Sequence, residues 1–382
     1  MNSNDLAVYV HIPFCKKRCI YCDYTSTIDQ SLKNEYLYSL KEEIKMISKK
    51  MKNKRVRTIY FGGGTPSLMN EVYIEQIFKT LDSNFNLSFL EEFTIEVNPE
   101  SITKEKADFY KMIGVNRISM GFQSTSDKIL KSVGRIHTYN EGLKAFKILS
   151  DFFDNINVDF ILGLPFEDKE TVNNNLEFIK IMKPSHVSYY LLDYSHDTPL
   201  KFLLETKKIN LPEEDQISEL LDLIYDQLDN FGYNRYEISS WSLPRKECIH
   251  NKYYWKNYEY IGFGVSAGSH IGNLRTVNTS ELPTYLEKIK TGLQPQEFTN
   301  KNDDFQELIE TLFMGLRLSE GLKYDYLKQR FSDELLNKVL TPLKDNLSDY
   351  LSLNGSIKLT KKGMDFSRFV FENLLDIAQT NS

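Results

Sequence analysis

Cysteine is scarce in this chain: there are four in 382 residues, three of them within the window Cys15 to Cys22 and the fourth at Cys248. So thin a supply excludes a disulfide-stapled scaffold. An excess of positive charge is missing as well. The 47 basic and 53 acidic side chains leave a net charge of −6, which speaks against a protein whose main task is to grip phosphate backbones, so no nucleic-acid partner is expected. No run approaches the roughly 18 apolar residues of a membrane span. The opening MNSNDLAVYVHIPF carries no basic segment followed by an apolar stretch of roughly 7 to 15 residues. The expectation is a cytoplasmic protein in a reducing compartment, without a transmembrane segment and long enough for about two to three domains.

Short runs rich in Val, Ile, Tyr and Phe alternate with amphipathic stretches through the first half. The runs are Val8 to Phe14, Thr58 to Gly62, Glu92 to Asn98, Arg117 to Phe122, Asn157 to Leu162 and Val187 to Leu192. Between them Leu37, Leu40, Ile44 and Ile47, and then Ile74, Ile77, Phe78 and Leu81, recur at helical spacing. Six strands separated by helices predict an α/β fold with a parallel sheet, either open and doubly wound or closed into a partial barrel. In both, chemistry collects where strands run into loops at their C-terminal ends. The cysteine window, Gly62-Gly63-Gly64-Thr65-Pro66, Glu96, Gln123 and Gly163-Leu164-Pro165 all fall there.

An extra strand is expected at Tyr233 to Ser239, and Trp241 to Thr276 reads as irregular. From about Leu282 the texture turns helical, at Asp304 to Leu318, Lys323 to Phe331 and Asp333 to Leu343. A hairpin signal around Asn354-Gly355, the favoured pair for a type I′ turn, follows. The division expected is therefore 1–240 for the barrel, 241–281 for an irregular connection and 282–382 for a helical, winged-helix-like domain. A winged helix often serves DNA, but this one lacks a basic stripe.

Cys15-Lys-Lys-Arg-Cys19-Ile-Tyr-Cys22 spaces its thiols by three and then two residues, short enough for one loop to wrap a cluster. Three thiolates can hold three irons of a 4Fe-4S cube and leave the fourth open to another ligand. Lys16, Lys17 and Arg18 would offset the negative charge. The alternative is a zinc site completed by His11 or by the distant Cys248.

This spacing after the first strand resembles that of the radical S-adenosylmethionine (SAM) superfamily. More specifically, the chain resembles the oxygen-independent coproporphyrinogen III oxidase family. The resemblance rests on Tyr9-Val-His-Ile-Pro-Phe-Cys15, Tyr60-Phe-Gly-Gly-Gly-Thr-Pro66, Thr94-Ile-Glu-Val-Asn-Pro99, Arg117-Ile-Ser-Met-Gly-Phe-Gln123, Gly134-Arg135-Ile-His137 and Asp159 to Pro165, in that order. It implies a partial (βα)6 barrel with a 4Fe-4S cluster on Cys15, Cys19 and Cys22. It also implies a SAM site on Tyr9, Gly63, Gly64, Thr65, Glu96, Gln123, Arg135 and Asp159. Gly63 and Gly64 would let backbone approach the methionine moiety, and Glu96 would pair with its amino group. Arg135 would fork onto its carboxylate, and Gln123 and Asp159 would bond the ribose.

Within that family, the decarboxylating oxidases carry a further cysteine two residues after the third, together with a longer N-terminal extension. Here Tyr24 stands at that position and 14 residues precede Cys15. Both departures resemble the haem chaperone branch, which implies haem as cargo and an unidentified acceptor protein, with room for transient contact with a membrane protein and for a homodimer. His250-Asn251-Lys-Tyr-Tyr254-Trp255 fits a His-Asn-x-x-Tyr-Trp motif of that branch, in which His250 would ligate haem iron. The competing reading makes His250 and Asn251 a hydrogen-bonded corner. Cys248 is read as an inert structural thiol.

Overall fold

The computed structural model describes residues 4–381. Its β-branched and aromatic runs form one twelve-stranded sheet in the order β12-β11-β10-β9-β1-β2-β3-β4-β5-β6-β8-β7. The strands are β1 (Asp5–Ile12), β2 (Arg55–Gly63), β3 (Glu92–Val97), β4 (Arg117–Gln123), β5 (Ile156–Leu162), β6 (His186–Leu191), β7 (Asn234–Glu237), β8 (Ser240–Ser242), β9 (Tyr260–Phe263), β10 (Gly268–Ile271), β11 (Leu274–Asn278) and β12 (Gln296–Lys301). Strands β1 to β6 pair in parallel, consecutively, as the alternating pattern predicts. Each is buried along most of its length because helices cover it, for example Lys33–Ser48, Glu71–Asn84 and Tyr139–Ser150. Two of these helices start where a polar side chain takes up an otherwise unpaired N–H: Asn70 accepts from Tyr73, and Thr138 exchanges bonds with Glu141 in a capping box. The first strand stops at Ile12 rather than Phe14, because Pro13 has no N–H for the ladder.

The stretch expected to be irregular is ordered. It holds β8 and β9 to β11 together with the helix Ile249–Trp255. β9 pairs in parallel with β1 and so adds a seventh parallel strand. With three or four residues in each of β8, β9 and β10, the pieces are too short for periodicity to reveal.

The change of texture near Leu282 does not mark a change of core. Tyr285, Leu286 and Ile289 pack into the barrel core with Tyr36 and Leu40, and β12 pairs with β11. A separate core gathers Leu308, Leu312, Leu336, Val339, Leu343, Ile357 and Leu374. Its wing is a small antiparallel sheet of Leu322–Lys323, Leu351–Ser352 and Ser356–Leu359. The turn is not type I′. Only Gly355 (φ 73°) adopts a left-handed conformation, and Ser352 pairs with Lys358, which leaves a longer loop.

The two cores are tied by polar contacts. Asn257 donates to Glu307 and Thr311, Nε2 of His270 lies 3.3 Å from Glu307, and Tyr326 donates to the Lys256 carbonyl. The backbone of Glu237 also bridges to Leu318. No helix among the described residues is long and apolar enough to cross a membrane.

Candidate functional site

The C-terminal ends of the parallel strands surround a cavity of about 550 Å³. Cys15, Cys19, Cys22, Gly63, Gly64, Thr65, Glu96, Gln123, Arg135 and Asp159 all line it, although the sequence spreads them over about 145 positions. The cysteine loop is pinned at several points. Cys15 N–H donates to the Thr27 carbonyl, Ile20 N–H to that of Val133, and the Ile20 carbonyl accepts from Leu200. Cys15 is buried, while Cys19 and Cys22 are partly open. The Thr65 hydroxyl lies 3.6 Å from the Cys15 sulfur.

The triple glycine is dictated first by packing. A Cβ on Gly64 would lie 2.7 Å from the Pro13 carbonyl carbon, and one on Gly63 would lie 2.8 Å from the His11 ring, at a φ of 112°. The loop after β2 can thus press against the segment leading into Cys15, with Gly64 N–H bonded to the Ile12 carbonyl and Thr65 N–H to that of Phe14.

Glu96 sits in the cavity wall and accepts from the Tyr60 hydroxyl at 2.8 Å and from Gly63 N–H at 3.0 Å. Burial pushes its carboxyl up to about 7, and those two bonds only partly oppose the shift. Asp159 is likewise raised by burial; it accepts from Asn157 at 2.8 Å and from Ser119 at 3.2 Å.

Gln123 adopts a φ of 68° where β4 slips its register against β5, and its side-chain oxygen is buried without a partner. A non-glycine residue held in that conformation costs on the order of 1 kcal/mol or more, and such costs cluster at ligand sites. Arg135 donates to Asn98 at 2.9 Å and to the Gly121 carbonyl, and stands beside Cys19. Two of its donors are therefore already committed to the wall.

The donor set fits the groups expected. A buried carboxyl supported by neutral donors suits an ammonium group, and an orphaned amide oxygen beside a buried carboxylate suits sugar hydroxyls. The three thiols on one rim suit a cluster. The zinc alternative loses both completing ligands. His11 Nδ1 bonds the Tyr9 hydroxyl and Nε2 the Thr25 carbonyl, and Cys248 lies at the far end of β3, its thiol toward Glu92 at 3.5 Å.

Tyr9 packs on Tyr60 beside Gly62, on the face of the sheet that carries Glu96. One expected position differs. His250 is buried, its Nδ1 2.8 Å from the Thr58 hydroxyl and its Nε2 2.8 Å from that of Tyr254. With both nitrogens engaged inside packed protein, it has no lone pair free for a haem iron. The hydrogen-bonded corner is the reading that the geometry supports. Glu92 anchors that corner by accepting from Ile249 and His250 N–H at the start of the helix.

The structure adds Asn98, Tyr60, Ser119, Tyr190, His196 and Arg317 to the lining. Arg317 arrives from the C-terminal core. Its guanidinium carbon lies 4.7 Å from the Trp255 ring centroid, and its Nε is buried without a partner. Asn98 is legible in the Glu-x-Asn-Pro motif; the other five carry no local signal.

The radical SAM superfamily matches residues 9–179, and the HemN C-terminal domain matches residues 304–366. Over 370 residues the chain is 30% identical to the heme chaperone HemW of Bacillus subtilis, covering 96% of this chain and 98% of that protein. Over 378 residues it is 32% identical to the heme chaperone HemW of Lactococcus lactis, covering 97% of each. The chain belongs to the HemW family of radical SAM proteins. Among solved structures it resembles the coproporphyrinogen III oxidase HemN from Escherichia coli, with a TM-score of 0.84 at 23% identity over 97% of this chain and 90% of that one. That likeness shows the shared fold.

Proposed function

We propose that the protein is a cytoplasmic haem chaperone that carries one 4Fe-4S cluster and SAM, holds haem and passes it to an acceptor protein. The observation that carries the reading is Tyr24. Its side chain stands 65% exposed on the cavity rim, where a decarboxylating oxidase would present a further cysteine, in a chain whose full-length relatives are named heme chaperones.

In this reading Cys15, Cys19 and Cys22 hold the cluster. Glu96 receives the SAM amino group, the Gly63 to Thr65 loop borders its methionine, and Gln123 and Asp159 receive its ribose. Arg135 braces the wall beside Cys19 and offers its remaining donors to the carboxylate. When bound, these groups supply one-electron chemistry at the open iron. The chain's own contribution is to orient the ligand with buried donors and to keep water out.

The test is anaerobic purification and cluster reconstitution, followed by haem titration read by absorbance and by assay of SAM cleavage with and without coproporphyrinogen. Stoichiometric haem binding without a coproporphyrinogen product is expected. Turnover of coproporphyrinogen would replace this reading with that of an oxidase.

A further inference from the structure

The chain has six histidines, and five are buried inside the fold. His11 and His250 have both nitrogens hydrogen-bonded, as does His186, with Nδ1 on Asn157 and Nε2 on the Tyr236 hydroxyl. His137 and His270 are buried beside Glu100 and Glu307. The sixth, His196, lies just beyond β6, and its side chain is 55% exposed while still lining the cavity. Its Nε2 stands 3.5 Å from Oδ2 of both Asp23 and Asp193. With both carboxylates on its Nε2 side, the opposite ring nitrogen is left for a metal.

The surroundings of His196 suit a flat apolar ligand with acidic edges. Tyr24, Tyr190 and Leu191 line the same mouth and expose large parts of their side chains, although water-facing aromatic and leucine surface is costly to leave uncovered. Arg317, stacked on Trp255, supplies a cation on the same wall with an unused Nε–H. The cavity of about 550 Å³ is also to take a cluster and SAM, which leaves its rim for a macrocycle.

We propose that His196 is the axial ligand of the haem iron, with the macrocycle across Tyr24, Tyr190 and Leu191 and a propionate carboxylate on Arg317. This rests on the haem-binding reading above. It moves the iron from the buried motif histidine to the open rim of the cofactor cavity, beside the loop that carries the cluster.

The test is titration of the full-length, cluster-reconstituted protein with ferric haem in the presence of SAM, read by the Soret band and by electron paramagnetic resonance of the iron. His196→Ala is expected to shift the band, abolish the imidazole-ligated signal and weaken binding about tenfold or more. Added imidazole should restore the signal. Because His196 is exposed, the variant should keep the wild-type circular dichroism and cluster iron content. His250→Ala should keep the wild-type band, and Arg317→Met should weaken binding without moving it. A wild-type spectrum and affinity in His196→Ala, or loss of the imidazole signal in His250→Ala alone, would overturn the assignment while leaving haem binding intact. Failure of the wild-type protein to bind haem would overturn both.

Discussion

The imidazole of His250 is clamped to the hydroxyl of Thr58, 2.8 Å away, across 192 positions of sequence. Thr58 belongs to β2, so the clamp ties the helix Ile249–Trp255 to the barrel wall, and the Tyr254 hydroxyl closes the other side of the ring. The motif that contains His250 also holds Trp255, whose ring carries Arg317.

His250→Ala should cost about 2–4 kcal/mol of folding stability, since it empties a packed site and strands a buried hydroxyl. Chemical denaturation measures this. Unchanged stability would mean that the clamp is not made in solution.

Glu96 predicts a pH dependence for SAM. Burial holds its carboxyl at about 7, so ligand-free protein is increasingly protonated there as pH falls. A cationic ligand needs the carboxylate. Affinity should therefore fall by up to about tenfold per pH unit below 7 and level off above it. Calorimetry between pH 6 and 7 should show this slope in the wild type, and Glu96→Gln should bind more weakly and lose the slope.

Glu307 joins the two cores, and its carboxyl titrates in the opposite direction. Burial opposes ionisation, but His270, Asn302 and Arg330 outweigh it and bring the carboxyl down to about 2. A folded-state value below the unfolded value near 4.5 contributes stability at neutral pH that is lost as pH falls from about 4.5 to 2. Acid unfolding followed by circular dichroism should show that loss, on the order of 3 kcal/mol for this group. Glu307→Gln should flatten the profile in that window while lowering stability at pH 7.

Single Cys→Ala changes at Cys15, Cys19 or Cys22 should each abolish visible absorbance from a reconstituted cluster and lower bound iron to background. Cys248→Ala should leave iron content at the wild-type value, because that thiol faces Glu92 at the other end of β3. Iron and sulfide analysis separates these outcomes.

Much of the site was legible because motifs on consecutive parallel strands must meet at one end of the sheet. The ends of β1 to β4 carry the cysteine window, the triple glycine, Glu96 and Gln123 in chain order, and the cavity collects them in that order. The order of β9 to β12 was not legible. Those strands are short, and their pairing with β1 and with one another depends on partners far away in the chain.

By itself the sequence determined the cysteine loop, the six parallel strands, the glycine motif and the strands of the wing, since each depends on spacing within a few residues. Only the tertiary structure decided which histidine is available. Ligation needs a free lone pair and an open approach, and whether a ring nitrogen keeps either depends on what packs against it. For His250 that partner is Thr58, on a strand almost two hundred residues earlier; for His196, on the cavity rim, the ring stays half open to solvent between Asp23 and Asp193.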